Sequence, residues 1–493
     1  LAIASPQDNF AGTGAGTVYL FNKNSGALSS SLTGSGAGDQ AGSQGFVKLA
    51  NDNYLIVSAQ WNSWRGAVTW ASASAGVSGA ISSANSLVGN TANDAVGASG
   101  YVGVFPSVYG AVVADGNVFA LPNGNYVIDT PSWNNGAATL AGAVTLGNGS
   151  TGTSGVISAA TSLVGTSTND QVGYEGILLL KGPNASDFVV MSRYWNNVGA
   201  GATNAGAATW INGSVGLTGP VSAANSLVGT HADDMVGARA AAVPLPVLAL
   251  SNGDYVIGSP HWSDGVSLQV GAATWGDGSA GVVGPITSSN SLVGSTANDQ
   301  IARDDIYETA LGDYVVASLN WNTTRGAVTW ARGDGSTVGV VTAANSLVGD
   351  HVDQFVGSGI EFGAGASVVA LPSGNYVVIS SSWSPGGFNG NGAVTWASKD
   401  GSTVGAVSSA NSLVGGSLDD QIGSGGVTVL TNGNYVVNSP EANLVDGQGA
   451  VTWGNGATGM SGVVSSSNSL VGGTNVGTTG WDTDHILALP DGD

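Results

Sequence analysis

One phrase constrains this chain more than any other feature. Gly-Ala-Val-Thr-Trp, or a close variant, begins at Gly16, Gly66, Gly142, Gly206, Gly271, Gly326, Gly392 and Gly449, eight copies spaced on average about 62 residues apart. A second phrase, Asn-Ser-Leu-Val-Gly or a variant, follows each copy and ends at Gly89, Gly165, Gly229, Gly294, Gly349, Gly415 and Gly472, with a degenerate Ser-Leu-Thr-Gly ending at Gly34. Eight such periods use up the 493 residues. A fixed period of this length means one supersecondary module packed against copies of itself, so residues 1–493 read as a single domain of eight repeats.

The module reads as four short strands. The first is an apolar run such as Val427 to Leu430, and Asn432-Gly433-Asn434 follows it, an Asn-Gly pair suited to the primed turn of a tight hairpin. The second strand returns as Tyr435 to Asn438 and the third is the Gly-Ala-Val-Thr-Trp phrase. A turn such as Asp334-Gly335-Ser336 leads to the fourth, Val338 to Leu347. Long helices are disfavoured, because the chain has 80 Gly and is rich in Val and Thr. Short links make consecutive strands an antiparallel meander, and a four-stranded meander at regular intervals is the signature of a β-propeller blade. A parallel β-solenoid is the rival, but its coils are shorter. The ends favour the propeller. The C-terminal Leu487-Ala488-Leu489-Pro490-Asp491-Gly492-Asp493 matches Phe119-Ala120-Leu121-Pro122-Asn123-Gly124-Asn125, and Leu1-Ala2-Ile3-Ala4-Ser5-Pro6 matches Tyr126-Val127-Ile128-Asp129-Thr130-Pro131. The expectation is an all-β, eight-bladed β-propeller of four-stranded antiparallel blades, closed by the C-terminal strand plus three N-terminal strands, which would remove exposed sheet edges.

Composition narrows the function classes. With 32 Asp+Glu against 10 Lys+Arg the formal net charge is −22, which repels phosphate backbones and leaves nucleic-acid binding without a basis. The absence of Cys removes disulfides, thiolate nucleophiles and zinc-thiolate sites. No window reaches the ~18 apolar residues of a membrane span; the richest, Ala240 to Leu250, is short and contains Pro244 and Pro246. An acidic, Lys-poor, Gly/Ser/Asn/Thr-rich chain without Cys suits an extracellular or cell-surface bacterial protein. Its start at Leu1 reads as mature or truncated.

The order of elements also carries a resemblance. Asp420-Gln421-Ile422-Gly423 lies where the FG-GAP blade of integrin α-chain propellers has its Phe-Gly element, Ser439-Pro440 lies at its Gly-Ala-Pro, and Gly16-Thr17-Val18-Tyr19-Leu20-Phe21 resembles its Gly-x-Val-Tyr-Val-Phe strand. The resemblance spans the whole chain. It implies that the loops between strands 2 and 3 and between strands 4 and 1 form the ligand face. Two departures stand out: eight repeats instead of the usual seven, and a bare Asn-Gly-Asn turn in place of the Asp-rich loop that holds calcium, so no metal and no cofactor is expected. The Asn-Ser-Leu-Val-Gly wording is similar to repeats in large secreted bacterial adhesins of the filamentous-haemagglutinin type.

Six repeats place a Trp just after strand 2: Trp61, Trp133, Trp195, Trp262, Trp321 and Trp383. Exposed, these rings would stack on sugars; buried, they would cap their own blades, and a feature shared by most repeats usually serves the repeat. A second set, Trp70, Trp210, Trp275, Trp330, Trp396 and Trp453, lies within strand 3 and reads as core between blades. Asp39, Asp94, Asp170, Asp234, Asp299, Asp353 and Asp420 follow strand 4, where an Asp commonly accepts nearby backbone N–H groups; a calcium site is the lesser reading. Arg332-Gly333-Asp334 spells a receptor-binding tripeptide, although Asp334 aligns with Asp277 and Asp400 in equivalent turns. The four His and four Glu are scattered, so no acid–base pair is visible and no catalytic residue is assigned. Lys48, Glu308 and His485 are departures within strand 1, and the insertion from Tyr101 to Asp115 is the best single place for a unique function. The resulting expectation is a non-enzymatic binding or adhesion module. Its partner would be a glycan or cell-surface receptor, with head-to-tail self-assembly as a further possibility. A structural subunit of an extracellular filament or matrix and a carbohydrate-active propeller enzyme are the alternatives.

Overall fold

The structure is a computed structural model that describes residues 1–98, 117–238, 247–359, 367–386, 390–442, 449–472, 486, 488 and 489. The insertion from Tyr101 to Asp115 and His485 lie outside them. Contacts divide the chain into two compact units, one built mainly from Leu1–Ala238 and the other mainly from Ile286–Asp493. Both are all-β, and the described residues form eight sheets of four or five strands. No helix among them is long and apolar enough to cross a membrane.

The third repeat shows how the sequence makes a sheet. Val118–Ala120 pairs antiparallel with Tyr126–Thr130, and Tyr126–Thr130 with Ala143–Gly147. The first hairpin is not closed by the expected primed two-residue turn. Gly124 N–H donates to Leu121 O at 3.0 Å with Gly124 at φ 90°, and Leu121 N–H donates to Asn125 O at 2.8 Å. This is an ordinary turn followed by a left-handed glycine, and it suits the Pro at its second position, whose fixed negative φ rules out the primed form.

Strand 4 also departs from the expected single run. In the sixth repeat it splits into Gly339–Val340 and Leu347–Val348, because Asn345 closes a turn between them. Asn345 Oδ1 accepts Thr342 N–H at 2.8 Å, and its Nδ2 donates to Val340 O at 2.9 Å. Leu347–Val348 stays in its own sheet, whereas Gly339–Val340 pairs in parallel with Leu292 and Val293 of the preceding repeat. The meander is therefore supplemented by a strand lent backwards, which produces the five-stranded sheets.

The two sequence phrases meet inside each sheet. The Thr of Gly-Ala-Val-Thr-Trp and the Ser that precedes Leu-Val-Gly share a buried hydroxyl contact, 2.6 Å for Thr69 and Ser86 and 2.8 Å for Thr329 and Ser346. Glycine starts the first phrase because a Cβ on Gly66 would sit 2.3 Å from Val96 N. The core lies between consecutive sheets. One cluster joins Leu49, Leu55 and Val68 of the second repeat to Tyr126, Trp133 and Ala143 of the third, and another joins Phe119 and Val127 of the third to Ile177, Phe188 and Trp195 of the fourth.

The first repeat has four strands among the described residues. Its sheet contains Ala2–Ser5, Thr17–Phe21, Leu28–Thr33 and the lent Gly79–Ala80. The expected C-terminal strand is not in it: Ile486, Ala488 and Leu489 are described and lie outside any strand. The closing strand is thus not among the described pairings.

Candidate functional site

The six Trp after strand 2 are 1–8% exposed. They belong to the core clusters, Trp133 to the one that contains Leu49 and Val96 of the neighbouring repeat and Trp195 to the one that contains Phe119 and Val127. The rings therefore present no open face for stacking a sugar. The aspartates after strand 4 belong to the same device. Asp94 Oδ2 accepts Asn90 N–H at 2.8 Å and Thr91 N–H at 2.7 Å within its own turn. Its Oδ1 accepts Asn134 N–H at 3.1 Å, from the residue after Trp133. Asp39 and Asn62, Asp170 and Asn196, and Asp299 and Asn322 repeat that link at 2.9, 3.0 and 2.8 Å. Each buried carboxylate ties one repeat's exit turn to the Trp-bearing loop of the next. In the sixth repeat the residue in this role is Gln354, whose Oε1 accepts Asp350 and His351 N–H at 2.7 and 3.1 Å. Asp353, expected there, sits one position earlier at φ 61° and bonds Thr324 instead.

Arg332, Gly333 and Asp334 form the strand 3 to 4 turn of the sixth repeat. Gly333 O accepts the Trp275 indole N–H at 3.0 Å, and Gly333 N–H donates to Asp313 Oδ1 at 3.0 Å. Asp334 Oδ1 accepts Ser336 N–H at 2.9 Å and Ser336 Oγ–H at 2.6 Å; these bonds hold the carboxyl below the usual range. The tripeptide thus performs the same turn-closing work as its counterparts.

Once the repeated features are assigned to the scaffold, the non-repeated ones define the site, and several gather on the strand 2 to 3 and 4 to 1 loops. The 2 to 3 loops vary in length, from Ser58–Ala67 to Ser192–Ala207, while the 1 to 2 turns share one length except in the fourth repeat, where Leu179 and Phe188 are joined by a longer link with a short 3-10 turn at Gly182–Asn184. In the short loop after Trp61, Asn62, Ser63 and Trp64 are all left-handed, with φ 48°, 59° and 63°. That path turns Trp64 outward, and it is 47% exposed. The sister loop Trp321–Thr324 follows the same path with Thr324 in that place, so Trp64 is not needed for the turn.

The fourth repeat carries a second departure. Gly176 pairs with Met191, so Glu175 and Arg193 emerge side by side where strands 1 and 2 meet the loops. Arg193 Nη1 lies 2.7 Å from Glu175 Oε1, and Glu175 is buried. The guanidinium carbon lies 4.4 Å from the Tyr194 ring centroid and 5.3 Å from that of Tyr174, and Arg193 Nη2 donates to Tyr194 Oη. The two rings meet edge to face at 5.0 Å. The result is a half-buried aromatic surface stiffened by a neutralised ion pair. Sequence inspection missed both features because it sought what recurs; the signal was the failure of Trp64, Tyr174, Glu175, Arg193 and Tyr194 to recur.

Two further departures lie on strand 1 or just beyond its end. Lys48 and Lys181 border a cleft of about 590 Å³ lined by Leu49, Leu121, Pro122 and Leu180. Lys48 is paired with Asp52 at 2.8 Å. Asp305, at the start of the sixth repeat's first strand, is pushed up to about 6 by burial, and neighbouring Asp304 is raised for the same reason while accepting Leu319 N–H at 2.7 Å. Among the described residues, no three His, Asp or Glu side chains gather to hold a metal ion.

A family model described as a repeat of unknown function, DUF5650, matches residues 48–98, 120–174, 184–238, 249–303, 309–358, 370–424 and 429–481, seven of the eight periods. No curated protein matches the chain. Among solved structures, dipeptidyl peptidase 4 of Porphyromonas gingivalis aligns at TM-score 0.34 and 8% identity over 85% of this chain and 53% of that one. TolB of Acinetobacter baumannii aligns at TM-score 0.22 and 14% identity over 64% of this chain and 57% of that one. The chain thus spans little more than half the length of either. Likenesses this loose carry nothing about fold or function.

Proposed function

Since the chain belongs to the DUF5650 repeat family, whose function is unknown, we propose that it is an eight-bladed, propeller-type binding module of an extracellular or cell-surface bacterial protein. Its ligand is a glycan or glycosylated receptor, engaged by the strand 2 to 3 and 4 to 1 loops. The single observation that carries this reading is Trp64, an indole 47% exposed on a loop whose sister achieves the same backbone path without it. A large aromatic ring that neither fills the core nor shapes its turn is the usual platform for stacking on a sugar. The Tyr174, Arg193 and Tyr194 surface offers a second platform with the same chemistry. The acidic surface favours neutral or cationic ligands over polyanions.

A glycan array probed with the wild type, Trp64→Ala and Tyr194→Ala tests this. Binding that falls about tenfold or more in the variants, at unchanged thermal stability, supports the reading, because a stacked ring contributes on the order of 1 kcal/mol beyond its area. No binding across a broad array, or binding indifferent to both substitutions, removes it.

A further inference from the structure

In each of the first seven repeats the end of the strand 2 to 3 loop runs beside the strand 4 to 1 link, and main-chain bonds clamp the two together. In the third repeat Asn169, Gln171 and Val172 N–H donate to Thr139, Leu140 and Ala141 O at 2.9, 3.0 and 3.0 Å. In the fifth, Asn298, Gln300 and Ile301 N–H donate to Leu268, Gln269 and Val270 O at 3.0, 3.1 and 3.1 Å. The two residues at the middle of the clamp are both left-handed, Leu140 and Gln171 at φ 51° and 42°, Gln269 and Gln300 at φ 53° and 48°. Their side chains face one another. Gln300 Nε2 donates to Gln269 Oε1 at 3.0 Å, and a Cβ on Gly390, the counterpart of Gln269 in the seventh repeat, would lie 3.8 Å from Gln421 Cγ.

The residues at these paired positions are not the ones their backbone prefers. A side chain with a Cβ is strained at positive φ, and Gly, Asn and Asp tolerate it best. Two places before the second member, where φ is positive as well, the repeats always carry one of those three, as at Gly38, Asn169 and Asp233. There the chain meets a demand of conformation alone. At the pair it does otherwise. The first member is Gly in two repeats, Gly14 and Gly390, and Asn204 in the fourth, but Trp64, Leu140, Gln269 or Thr324 in the other four. The second is never Gly, Asn or Asp; it is Met235 in the fourth repeat, Phe355 in the sixth and most often Gln. The amides of Gln171 and Gln421 make no hydrogen bond among the described residues, and Leu140 is exposed. No member of any of these pairs is charged.

We propose, resting on the glycan-binding function above, that in each of these repeats the left-handed pair is the specificity-determining contact, and that it reads a neutral saccharide. Amides such as that of Gln171 bond ring hydroxyls, and apolar members such as Leu140 and Trp64 cover the C–H face of a sugar ring. Because the clamp is made of main-chain bonds, the two side chains change from repeat to repeat while the platform stays the same, which is how a rigid scaffold carries variable specificity. The strain persists at these positions because the side chains serve the ligand and not the turn.

The test uses the full-length chain on an array of neutral glycans, with melting temperatures measured beside it. Leu140→Gly gives the third repeat the pair of the first, Gly with Gln. Glycine adopts φ 51° freely, so the melting temperature should hold or rise. Binding to the glycans that the wild type selects should fall about tenfold, the usual effect of losing an apolar contact. Leu140→Asn combined with Gln171→Met installs the pair of the fourth repeat and should change which glycans are bound, at an unchanged melting temperature. Variants that keep the wild-type profile and affinity overturn the assignment of the pair and leave glycan binding itself standing. A wild type that binds no glycan removes both. A melting temperature that drops by several degrees on Leu140→Gly also overturns the assignment, because the side chain then holds the fold.

Discussion

Asp129 shows what one departure from the repeat does to a buried strand. Its counterparts within strand 2 include Val57, Ile379 and Asn438, so the other repeats place apolar or neutral polar side chains there. Burial raises the Asp129 carboxyl well above the ordinary range, and Oδ1 has no hydrogen-bond partner among the described residues. A carboxyl whose folded-state value is raised binds its proton more tightly folded than unfolded, so stability falls as pH rises above the unfolded value near 4. Asp129→Asn, which installs the last repeat's residue, should therefore raise the melting temperature at neutral pH and leave it little changed below about pH 4. Asp305 follows the same sign within a defined window. With its folded value at about 6, its contribution is lost between about pH 4 and pH 6, and Asp305→Asn should flatten stability across that window and add about 1–2 kcal/mol above it. Chemical denaturation at a series of pH values checks both. Asp94 is the opposite case, a buried carboxylate whose two oxygens both accept donors. Asp94→Asn turns an amide NH₂ toward those donors and should cost about 2–3 kcal/mol, almost as much as Asp94→Ala.

At the scale of elements, the turn between the two halves of strand 4 decides whether neighbouring sheets are joined by backbone bonds or only by packing. Asn345 bonds Thr342 N–H and Val340 O, and just beyond this turn Val341 N–H donates to Val293 O of the preceding repeat at 2.9 Å. Asn345→Ala removes these bonds together with those its Oδ1 accepts from the Thr342 and Ser346 hydroxyls, and should cost about 1–2 kcal/mol. The informative readout is local: amide exchange at Val341 should accelerate more than at Val315, whose strand is paired on both sides within its own sheet. Equal acceleration at both would mean that the lent strand does not depend on the turn. The same logic explains why the phrase reads Asn-Ser-Leu-Val-Gly. Asn closes the turn, Ser meets the Thr of strand 3, Leu and Val enter the core, and a Cβ on Gly89 would lie 2.5 Å from Arg65 O.

At the scale of the molecule, a net charge of −22 on a chain with 10 basic residues opposes compaction through self-repulsion. Raising ionic strength with a monovalent salt should raise the melting temperature. Chelators should leave it unchanged, since no metal-holding cluster is found among the described residues. A large calcium-dependent shift would show that carboxylates converge in a way that the scaffold bonds of Asp39, Asp94, Asp170 and Asp299 do not suggest.

The sequence by itself determined the all-β class, the module, its period and the positions of its strands, because each depends on local matters: alternation, turn chemistry and a phrase that recurs. Asp420, Asp299 and their relatives were also legible as turn-stabilising residues for that reason. Only the tertiary structure decided what each side chain faces. It buried Trp61 and Trp133, exposed Trp64 three residues further along the first of those loops, and drew Glu175 and Arg193 together from the ends of two paired strands. It also divided strand 4 between two sheets, since lending a strand to a neighbour is a non-local pairing that leaves no period of its own. Spacing along a chain reports which residues share a role. Exposure and encounter depend on what packs above them, and that is fixed only when one repeat meets the next.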